Sequence, residues 1–145
     1  MTPGQFIDRA VEVPFVVGGR DWSGWDCWGL VYVGFRELFE IEIPSLSDEY
    51  DEQVSFAELN SLVNTQKPLW NSVKEPSFGD VRLFKVSRYH SHVALVLPWR
   101  SMIHTTQGVG TVVERLDVIT WAKRHVEYFR HEQRSGSGGA SSAQD

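Results

Sequence analysis

The spacing of apolar residues changes part-way along the chain. From Cys27 onward, Leu30, Val31, Gly34, Phe35 and Leu38 recur at three- and four-residue steps, the period of one buried helix face. This predicts a helix from Cys27 to about Phe39, ended by Ile41-Glu42-Ile43-Pro44 and opened by Asp26 as N-cap. Near the start, Thr2-Pro3-Gly4-Gln5 reads as a capping box with proline at the first helical position, and predicts a short helix to about Val11. A second capping box, Ser55-Phe56-Ala57-Glu58, opens a helix with Phe56, Leu59, Leu62 and Val63 on one side. Between the first two helices, Val13 to Trp25 carries Pro14, Gly18, Gly19 and Gly24, which suits an irregular loop that passes close to other backbone and lines a site.

After Pro68 the pattern turns to strands. Val81 to Val86, His92 to Leu97, Ser101 to Thr106 and Thr111 to Leu116 are short, rich in β-branched and large apolar residues, and separated by Gly, Pro or charged turns. Such short connections predict an antiparallel meander. Val118 to Lys123 reads as one helical turn and Val126 to Arg130 as a final strand. Ser45 to Gln53 is acidic and polar, a surface insertion, and Ser135 to Asp145 is Gly, Ser and Ala without core formers, a disordered tail. Helices followed by strands predict an α+β fold with the helices packed on one face of an antiparallel sheet. The 145 residues, 41% of them hydrophobic, suffice for one core, so residues 1–134 are expected to form a single domain and 135–145 a tail.

Fourteen Lys and Arg against nineteen Asp and Glu give a formal net charge of −5, with no basic run that could neutralise a phosphate backbone, so nucleic acid is excluded as a partner. No apolar run approaches membrane-spanning length. Met1 to Ala10 lacks the features of a secretory signal, and a soluble product made in the cytoplasm is expected. The single cysteine rules out an intrachain disulfide framework and leaves a thiol for chemistry.

Two readings of that thiol stand side by side. A lone cysteine is commonly a small buried hydrophobe. Placed in the first turn of a core helix, Cys27 instead faces unpaired N–H groups and the positive end of the helix dipole, which favour the nucleophilic thiolate. The histidines favour the second reading. His92 opens the most apolar strand and His104 lies in the next, and a turn at Pro98-Trp99-Arg100 sets them opposite or diagonal to each other. A cysteine, a histidine as base and a further polar residue that orients the base make the set needed for nucleophilic catalysis. His90, two residues before His92, competes for the base role. Zinc held by His90, His92, His104 and Cys27 is the rival reading, without the usual ligand spacing. His125 and His131 show no partner and are expected to be solvated. Trp22, Trp25 and Trp28 either wall a groove or belong to the core.

Phe15-Val16-Val17-Gly18-Gly19, Gly24-Trp25-Asp26-Cys27-Trp28-Gly29-Leu30-Val31, Gly79-Asp80-Val81-Arg82-Leu83-Phe84, His92-Val93-Ala94-Leu95-Val96-Leu97 and Met102-Ile103-His104 resemble, in order and spacing, the NlpC family of papain-like cell-wall peptidases. The Gly19-Arg20-Asp21-Trp22 and Asp26-Cys27-Trp28-Gly29 wording, with Ile43-Pro44-Ser45 after the helix, looks most like the versions encoded among tail genes of tailed phages. The resemblance implies Cys27 as nucleophile, His92 as general base and acid, and His104 as the third polar residue. It implies a substrate groove near Phe15, Trp25, Asp26 and Trp28, no metal and no cofactor. The implied substrate is the peptidoglycan stem peptide, cut between D-glutamate and the diamino acid. The implied partners are other tail-tip or tail-assembly proteins, and the implied location is the virion tail tip. The alternative is a structural tail protein with the same fold and little activity, and a third reading is an acyl or amide transferase. Two positions depart from the family pattern: Phe15 stands where a tyrosine is frequent, and Trp28 stands where serine commonly follows the cysteine.

Overall fold

The computed structural model describes residues 1–46, 70–88 and 90–135. The helix expected from Ser55, most of the acidic stretch and the tail after residue 135 lie outside them. Helix α1 spans Pro3–Ala10 and α2 spans Cys27–Phe39, as their caps and periods predict. Thr2 Oγ1 accepts from the Gln5 N–H at 3.2 Å while Gln5 Oε1 accepts from the Thr2 N–H at 2.9 Å, which satisfies two otherwise unpaired donors reciprocally. At the head of α2, Asp26 Oδ1 accepts from the Gly29 N–H at 2.9 Å, and Glu40 closes the helix in the left-handed region.

Between the helices, Arg20–Asp21 (β1) and Gly24–Trp25 (β2) pair as a small antiparallel hairpin. Strands of two residues carry no alternation, so the pattern of the chain did not reveal them. The main sheet comprises β3 (Trp70–Val73), β4 (Val81–Lys85), β5 (Ser91–Leu97), β6 (Ser101–Thr106), β7 (Gly110–Arg115) and β8 (His125–His131), in the order β3-β8-β4-β5-β6-β7. Every pairing is antiparallel. Strands β4 to β7 form the expected meander. The last strand departs from it, crossing back to lie between β3 and β4. Arg130 of β8 grips the fully buried Asp80 at the mouth of β4 through Nε and Nη2, at 2.8 and 2.9 Å, a bidentate pairing that fixes this crossover. Strand β3, whose Asn71 and Ser72 are exposed, lacks the apolar signal of the others and was not expected.

Two apolar layers follow from the alternation along these strands. On one face Val81, Leu83, Val93, Leu95, Leu97 and Ile103 pack against Phe6 of α1 and Leu30, Val31 and Phe35 of α2, each side chain contributing about 2 kcal/mol by burial. On the other, Phe84, Ala94, Val96, Met102, Leu116 and Tyr128 form a second cluster. Trp121, from the short helix α3 (Ile119–Ala122), covers it. The architecture is α+β as expected: the two main helices share a face of the antiparallel sheet, and the single-turn α3 lies on the opposite one. A final turn, α4, spans Glu132–Ser135.

Candidate active site

The loop before α2 is built around Asp26. Besides capping the helix, its carboxylate accepts from the Gly18 N–H at 2.9 Å and from Arg20 Nη1 at 2.7 Å, and Arg20 also donates to the Gly19 and Ser45 carbonyls, both at 2.6 Å. These bonds draw the Gly18–Gly19 backbone onto the first turn of α2, where Gly29 leaves room for it. A Cβ at Gly29 would sit 2.1 Å from the Gly19 carbonyl oxygen and 2.9 Å from Trp25 Cβ. Gly29→Ala should therefore lower stability by about 3 kcal/mol, the upper range for overpacking, read as a fall of about 10 °C in Tm by calorimetry. A Tm within a degree of the parent would mean that the loop yields freely.

Cys27 reaches the sheet at a gap between two strands. Strand β5 pairs with β4 from Ser91 to Leu95 but with β6 only from Leu95 to Leu97, whereas β6 stays paired with β7 along its whole length. The Val96 N–H donates to the Asp80 carbonyl at 2.8 Å on the β4 side, so by alternation the Val93 N–H points toward β6, where the ladder has ended. It lies by the Cys27 thiol instead, where its polar hydrogen favours the thiolate. The nucleophile candidate thus meets β5 at the residue that follows His92.

The His92 side chain projects to the face away from α2, alongside Ala94, and its ring lies 5.8 Å from that of Phe84 and 5.0 Å from that of Trp121. His92 Nε2 and His104 Nδ1 are 2.8 Å apart. The far nitrogen of His104, Nε2, donates to Glu114 Oε2 at 2.6 Å. The hairpin register thus brings the two imidazoles together as expected, but on the sheet face opposite the one covered by the Cys27 helix. Trp121 stands edge-on to His104 at 4.9 Å and stacked on His92, roofing the pair.

Burial sets the protonation of these groups. The Cys27 thiol is pushed up to about 12 by desolvation and by the neighbouring Asp26 charge, against the pull of the Val93 and Trp28 N–H groups. Desolvation, helped by His104, holds His92 down at about 3. His104 is also lowered by burial, with the Glu114 hydrogen bond and charge working the other way. At neutral pH the resting site holds a thiol and neutral imidazoles. The helix dipole does not make Cys27 a thiolate here, because the loss of water outweighs it.

The remaining candidates fall elsewhere. Trp25 and Trp28 are 0% and 2% exposed. Their indole N–H groups donate to Thr111 Oγ1 at 2.9 Å and to the Pro44 carbonyl at 2.8 Å, so both are core residues and offer a substrate no face. Asp26 is buried and spent on the loop. Phe15 is half-buried, and its backbone bridges to Trp25. His90 precedes β5, in a turn where its Nδ1 lies 2.8 Å from Ser87 Oγ. It therefore does not share the strand face of His92. One expectation of a solvated histidine is corrected, since His131 is buried against Trp70 and Phe35; His125 is exposed as expected, with its Nδ1 accepting from Arg82 Nε at 3.0 Å. Among the described residues no three His, Cys, Asp or Glu side chains are grouped to hold a metal ion, and no described helix is long and apolar enough to cross a membrane. Glu114 and Trp121 were not singled out in the sequence. Glu114 lies in a strand of mixed burial at the sheet edge, and Trp121 in the single-turn helix α3 between strands.

Residues 12–130 match the NlpC/P60 family. The chain belongs to this family. Cys27, His92, His104 and Glu114 all fall within the matched span. The murein DD-endopeptidase MepS/murein LD-carboxypeptidase of Escherichia coli K12 is 26% identical over 123 residues, covering 85% of this chain and 58% of the relative. This chain thus spans little more than half the length of that relative. Among solved structures, the NlpC/p60 domain of the peptidoglycan hydrolase SagA superposes with a TM-score of 0.56 at 19% identity, over 90% of this chain and 99% of that one. An NLP/P60 protein from Staphylococcus aureus similar to a lipoprotein superposes with a TM-score of 0.60 at 19% identity, over 89% of this chain and 41% of that one. At such identities the likeness concerns the fold, and the NlpC/P60 fold is the one described above.

Proposed function

We propose that this NlpC/P60 chain is a cysteine peptidase that hydrolyses an amide bond of the peptidoglycan stem peptide. The observation that carries the reading is the His92–His104 contact of 2.8 Å beside a thiol held at the strand gap. His92 Nε2 is occupied by His104, so Nδ1 is the nitrogen available to the thiol. Nδ1 takes the Cys27 proton as sulfur attacks the carbonyl, and returns it to the departing amine. Water, activated by the same nitrogen, then cleaves the thioester. The Cys27 backbone N–H, unpaired in the first turn of α2, donates to the oxyanion. His104 holds the His92 ring in place, as the third member does in other triads. A neutral resting pair suits this sequence of steps, since proton transfer accompanies attack instead of preceding it.

The bond we assign is that between D-glutamate and the diamino acid, and the setting is a phage tail tip that opens the wall locally, among other tail proteins. The wording around Cys27 supports the setting. Because the relative MepS is described as a DD-endopeptidase and LD-carboxypeptidase, the bond is decided by digesting purified peptidoglycan and weighing the released muropeptides. Fragments ending at D-glutamate are expected, with activity unchanged by a chelator. Loss of a terminal D-alanine or opened cross-links would reassign the bond, and an unaltered digest would favour a structural tail protein, a reading to which Phe15 in place of tyrosine lends some weight.

A further inference from the structure

We propose that Glu114 is a positioning residue that sets the tautomer of both histidines, so that His92 Nδ1, the nitrogen not engaged by His104, is always the basic one. This inference rests on the peptidase reading and extends it by one residue. A carboxylate only accepts, so His104 must carry its proton on Nε2 to make the 2.6 Å contact with Glu114 Oε2. His104 Nδ1 is then a lone pair, and at 2.8 Å from His92 Nε2 it accepts a proton held there. His92 Nδ1 is left without one. Each link forces the next, and the order originates at the only member of the chain that cannot reverse its role. Without Glu114 the two imidazoles could hydrogen-bond equally well with both protons shifted, leaving His92 Nδ1 protonated and unable to take the proton of the thiol.

The geometry suits such a lock. Glu114 stands on the edge strand β7 with its side chain about one third exposed, while the His104 side chain is 2% exposed. The carboxylate therefore keeps part of its hydration and avoids the full cost of burial, yet points its acceptor into a site sealed by Trp121. His104 is faced by His92 from β5, Glu114 from β7, Arg82 from β4 and the uncharged ring of Trp121 from α3. Of these only Glu114 favours a charged His104, and Arg82 disfavours it.

Glu114→Gln is the informative variant, because its amide offers both an acceptor and a donor and so fits either tautomer. The expected result is a loss of roughly tenfold to a hundredfold in kcat, with KM little changed, smaller than the loss from a wrong tautomer in a serine protease triad because Glu114 acts one residue further back. The acid limb of the pH profile should move to lower pH, since the group that favours a charged His104 is gone. Nitrogen-15 spectra of the imidazoles should show one tautomer for each histidine in the parent and a mixture in Glu114→Gln. In the His104→Ala background the same change should add nothing. Identical turnover, pH limb and tautomers in parent and Glu114→Gln would overturn the proposal. If the parent cleaves no peptidoglycan but its tautomers are ordered and lost in Glu114→Gln, the lock stands and the peptidase reading fails.

Discussion

Cys27→Ala should leave a folded protein with no measurable turnover, a loss of at least about 10⁴-fold in kcat by comparison with other nucleophile deletions. The side chain removed is small and lies at the head of α2, where the helix is held by the Asp26 cap and the Arg20 bonds, so Tm should move by only about 3 °C. Activity should be followed by muropeptide release and folding by circular dichroism. The parent thiol supplies an independent reading. Because burial holds Cys27 up at about 12, alkylation by iodoacetamide near neutral pH should be slower than that of a small thiol in water and should quicken as pH rises. Labelling faster than the free thiol would show a thiolate stabilised by a charged His92, and full turnover by Cys27→Ala would remove the peptidase mechanism altogether.

The second large effect separates two neighbouring histidines. His92→Ala should abolish turnover while His90→Ala retains most of it, because His92 touches His104 at 2.8 Å whereas His90 bonds Ser87 in the turn. His92→Ala should also change the acid side of the stability curve. In the unfolded chain an imidazole binds its proton near 6.5, but buried His92 does so only near 3. Between these values the unfolded state holds the extra proton, so stability is present above about pH 6.5 and is lost as pH falls toward 3. Denaturant titrations across that window should show a shallower loss for His92→Ala than for the parent. A lethal His90→Ala with an active His92→Ala would transfer the base to the turn.

Much of the scaffold could be read from the chain itself, and for local reasons. Helix limits depend on caps and on a period of three to four residues, both encoded within one segment, and Thr2, Gln5, Asp26 and the stripe from Leu30 to Leu38 placed α1 and α2 correctly. The contact of His92 with His104 was equally accessible, since one tight turn fixes the register of the strands on either side of it. What lay beyond reach depends on partners distant in sequence. Glu114 joins the site through the register of a further hairpin, in which His104 faces Val112 and Met102 faces Glu114. Trp121 covers the imidazoles from a turn whose local pattern says nothing of where it docks. The return of β8 beside β4 is held by Arg130 on Asp80, fifty residues apart. Protonation was decided last of all. A helix N-terminus favours a thiolate in any sequence that places a cysteine there, but whether the thiol ionises depends on how much water the fold removes, and around Cys27 and His92 that removal is the larger effect.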